Sequence, residues 1–145
     1  MSTLPAETPR QPSGDGSGSA PSEVAVLARE VRRLAERFRH LSESRLRAPV
    51  SPDDPSDSGR SRAQAGLALA RRLAALGDAP DGREVPDLGV FAVGDQIAVT
   101  GLDLAAHLGA RVRAAAGSDD RAAAAVCAEV SETALREVRA LAALV

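Results

Sequence analysis

Bulky apolar residues recur at alternating steps of three and four through Val24, Leu27, Val31, Leu34, Phe38 and Leu41. That spacing lays them along one face of a helix, as a coiled-coil-like seam. Ser22 stands before the seam as an N-cap, with Glu23 as an acid in the first turn. Pro49, Pro52 and Pro55, with Asp53, Asp54 and Asp57, end the pattern in a polar linker. The first predicted helix covers 22–47. A second, over 60–76, starts after Ser58 or Ser61, and Ser61 has Gln64 three residues on as a capping box. Its face is Gly66, Leu69, Leu73 and Leu76, and Gly77 is its C-terminal stop. A glycine inside a helix costs about 1 kcal/mol, so Gly66 implies close packing at that point.

A third helix is predicted over 86–116, opened by Pro86 and Asp87 and closed by Gly117. Val90, Val93, Ile97, Leu104, Leu108 and Val112 keep helical phase, and Gln96, Thr100, Asp103 and His107 fall together on what the pattern marks as the water-facing side. Residues 88–101 also read as a short hairpin around Gly94-Asp95, which would make the fold α+β. Gly94 and Gly101 are kink or close-contact points. A fourth helix over 119–143, capped by Ser118, should bury Cys127, Val130, Ala134, Val138 and Leu141. Four amphipathic helices bury their stripes most simply as a bundle, so the expectation is an all-α, four-helix bundle-like domain over 22–145. Residues 1–21, rich in Pro, Ser and Gly, read as a disordered tail.

Composition supports helices: Ala and Leu dominate, and the aromatics are Phe38 and Phe91 alone. The net charge of -2 provides no field for nucleic acid or an anionic membrane, and all 18 basic residues are Arg. Charge is uneven, however. Residues 22–47 carry seven Arg against four Glu, and residues 78–145 six Arg against eleven acids. The first helix therefore has a basic bias, but interleaved acids weaken it as a phosphate-binding surface. No apolar run is long enough to span a bilayer, and no basic-then-apolar leader is visible, so a cytoplasmic location is the expectation.

Chemical motifs are sparse. Without Lys there is no phosphate-binding loop of the usual kind, and no Gly-x-Ser-x-Gly elbow is present. The lone Cys127 sits on an apolar face and reads as a small buried hydrophobe. Asp53, Asp54 and Asp57 lack the Gly and terminal Glu of a calcium loop. The sequence predicts no metal, no cofactor and no catalytic residue. Its one polar constellation is Asp95, Gln96, Thr100, Asp103 and His107. Asp103 and His107 are four apart, close enough for carboxylate and imidazole to meet. Asp95 falls inside the apolar arc and demands a partner, with Arg29, Arg33, Arg37, Arg71 and Arg72 as candidates.

The expected function is non-enzymatic: a scaffold or regulatory protein that binds itself or another protein. Two alternatives stand beside it, a transcription regulator acting through protein or DNA, and a ligand-binding or enzymatic bundle. The proposed contact is the seam Val24, Leu27, Val31, Leu34, Phe38 and Leu41. Ala-rich neighbours offer little to cover it, which leaves it to a second copy through the first and fourth helices, with Arg37 and Arg39 at the rim.

Overall fold

In a computed structural model, residues 22–51, 53, 59–77 and 84–145 are described. The predicted tail, residues 1–21, and Asp54 and Asp57 of the linker lie outside them. The domain is all-α: α1 Glu23–His40, α2 Glu43–Arg47, α3 Arg62–Leu76, α4 Val93–Ser118 and α5 Arg121–Ala142, with a 3₁₀ turn at Val90–Ala92 before α4. Among the described residues there is no strand, only one isolated antiparallel bridge between Pro49 and Ser61. The hairpin alternative for 88–101 is thereby overturned.

Several boundaries differ from the periodicity for local reasons. The first predicted helix is two, because Leu41 is extended and Ser42 caps a new turn through Arg45 N–H. Ser42-Glu43 repeats the Ser22-Glu23 start signal. Pro86 and Asp87 stay outside α4, since Gly89 at φ 96° turns the chain first. At the far end Gly117 and Ser118 remain helical, and Asp119 makes the left-handed stop at φ 54°. Aspartate tolerates this conformation better than most residues. Asp120, not Ser118, then caps α5 by accepting from Ala123 N–H. The Ser61–Gln64 capping box and the Gly77 stop form as the sequence indicates.

Helix directions follow from which residues meet. Gly94, Gly101 and Gly109 of α4 face Ala35, Val31 and Val24 of α1 in turn, so these helices are antiparallel. Gly66 meets Val93 while Gly77 meets Leu104, so α3 and α4 run parallel. A parallel pair needs a crossover, and residues 77–90 supply it. Its described part is tied down by Arg71 Nε, which donates to the Val85 carbonyl at 2.9 Å, and by Gln96 Nε2, which donates to the Pro86 carbonyl at 2.6 Å. Helix α5 returns antiparallel to α4 after the tight Asp119–Asp120 turn. Gly109 lies against the first turn of α1, so the nine residues to Ser118 carry α4 roughly 14 Å beyond that end.

The core contains the central seam of α1. Leu27, Val31, Leu34 and Phe38 are almost fully buried, and Val24 and Leu41 pack at its ends. Against them lie Leu69 and Leu73, Ile97, Leu104 and Leu108, and Cys127, Ala134, Val138 and Leu141. In α5 Ser131 is buried where the stripe predicted Val130, which is half-buried. Leu46 and Val50 close one end of the core.

The seam is therefore covered within one chain, which corrects its assignment as a self-association surface. The reason is backbone approach rather than side-chain bulk. A Cβ at Gly66 would lie 2.9 Å from the Phe38 ring and would also collide with Val93. One at Gly94 would lie 2.9 Å from the Ala35 carbonyl, and one at Gly101 2.7 Å from a Val31 methyl. Gly94→Ala and Gly101→Ala should each lower stability by about 1–2 kcal/mol, despite the better helix propensity of Ala. Urea denaturation checks this, and Ser61→Ala, which deletes the α3 cap, should cost about 1 kcal/mol in the same assay.

Candidate functional site

The residues of the predicted polar constellation do not converge. Gln96 is 8% exposed and is spent on the crossover, through Pro86. Thr100 is half-buried and returns its hydroxyl to the Gln96 carbonyl at 2.8 Å. Asp103 is exposed. His107 is half-buried, with Nε2 shielded and lacking a hydrogen-bond partner among the described residues. Among the described residues no ion pair joins Asp103 to His107, whose Nε2 is shielded from water while Asp103 is exposed. The expected water-facing stripe is thus mostly the flank that α4 turns toward α3 and the crossover. Gln96→Ala should cost about 1 kcal/mol and speed amide exchange around residues 85–92, read by exchange mass spectrometry.

Asp95 does find an arginine, but neither its burial nor its partner is the expected one. Its side chain is 70% exposed, and Arg39 from α1 holds it at 2.8 Å through Nε and Nη2. Arg39 also reaches Glu36 at 3.2 Å. Hydrogen bonding to Asp95 first, and to Glu36 second, raises the Arg39 pKa above its ordinary value. Two carboxylates share one guanidinium here, so the cluster is negative.

The face of α4 that meets water carries Asp95, Val99, Asp103 and Ala106, with half-buried Leu102 at its edge and Phe91 just ahead of it in the 3₁₀ turn. Phe91 is 68% exposed and Val99 60%, Leu102 is half-buried, and Leu88 just ahead of the helix is also exposed. Helix α4 consequently carries apolar residues on its outer side as well as on its core side. Such a helix normally has neighbours all round, whereas among the described residues α4 packs mainly on α1, α3 and α5. The sequence puts Asp95 inside an apolar arc without fixing which third of the circumference points out. The glycine contacts with α1 decide it.

Other features are already committed. The arginines of α1 and α2 pair locally, Arg29 and Arg33 with Glu30, and Arg47 with Glu43. Arg37 donates to the Ala142 carbonyl at 2.8 Å, an intramolecular clasp between α1 and α5. A cleft of about 400 Å³ near the start of α3 is bordered by Arg47, Ser61, Gln64 and Asp87. Ser61 and Gln64 are engaged in the capping box, Asp87 accepts from Gly89 N–H, and Arg47 is held by Glu43. Cys127 is buried, as its position on the stripe indicated. Among the described residues no group of three or more His, Cys, Asp or Glu is placed to hold a metal ion, and no helix is long and apolar enough to cross a membrane.

The class of protein defined so far is a small all-α bundle that, among the described residues, exposes Phe91 and Val99. The chain matches no protein-family model, no curated protein and no solved structure.

Proposed function

We propose that this chain is a non-enzymatic interaction module that docks another protein surface on the outer face of α4. The observation that carries this reading is the exposure of Val99 on a helix whose opposite side is core, with exposed Phe91 in the turn that leads into it. Single exposed apolar residues are ordinary, but Leu88 and Phe91 ahead of α4 and Val99 on it lie close together in sequence, with half-buried Leu102 beside them. Aromatic residues of this kind are common anchors in interfaces, where they bring large area at small entropic cost. The Arg39–Asp95 pair sits on the same face and provides polar definition among the apolar groups. This keeps the interaction class expected from the sequence and moves its surface from α1 to α4.

The test uses a photoreactive phenylalanine analogue in the full chain, at position 99 or, as a control, at the exposed position of Arg136 on α5. In cells expressing the chain, irradiation should produce a discrete protein adduct from position 99 and none from position 136. No adduct at 99, or equal adducts at both, would overturn the assignment.

A further inference from the structure

We draw no further inference here: the strongest candidate, the apolar surface at the start of α4 that exposes Leu88, Phe91 and Val99, belongs to the docking face already described, and nothing in the structure shows what covers it.

Discussion

Backbone approach at three glycines is the constraint on which the rest of this structure depends. Gly94 and Gly101 bring α4 against the Ala35 carbonyl and the Val31 methyls of α1, and Gly66 seats both Val93 and the Phe38 ring. A core with so few large side chains has little volume with which to fill the space between widely spaced helices. Removing Cβ atoms where axes cross shrinks that space, so Ala and backbone atoms make the contacts that aromatic residues supply elsewhere. The helix-propensity penalty at each glycine is the opposing term, and it is small beside the cost of leaving Phe38 and three leucine-sized neighbours poorly packed.

The same approach fixes the rotation of α4 about its own axis, and rotation decides which chemistry is available. With Gly94 and Gly101 turned to α1, Gln96 and Thr100 are carried toward the α3 side and the crossover. Gln96 then serves the parallel α3–α4 arrangement by holding the returning chain at Pro86, with Arg71 holding it at Val85. Asp95, only one residue earlier, is delivered to the surface and to Arg39. A rotation by one residue would exchange these fates. Polar side chains that look alike on a helical projection thus divide into a crossover pin and a surface ion pair.

Phe91 and Val99 stand exposed near the start of α4, whereas Leu102 beside them packs against the core from its edge.

Helices, caps and most of the core were legible in the sequence because they rest on local physics. Three-and-four spacing marks Leu27, Val31, Leu34 and Phe38; Ser61 with Gln64 marks the start of α3; Gly77 marks its end. The break at Leu41–Ser42 was missed, because the apolar seam runs unbroken through Leu41 and hides the repeated Ser-Glu start at Ser42. What only the tertiary structure decided was facing. Helix α4 is apolar around about two thirds of its circumference, so periodicity leaves its orientation degenerate. Neither the burial of Gln96, nor the exposure of Asp95 and its choice of Arg39, nor the exposure of Phe91 and Val99 could follow from phase alone. That degeneracy is lifted by contacts between residues tens of positions apart, Gly94 with Ala35 and Gly101 with Val31, which exist only once the chain has folded.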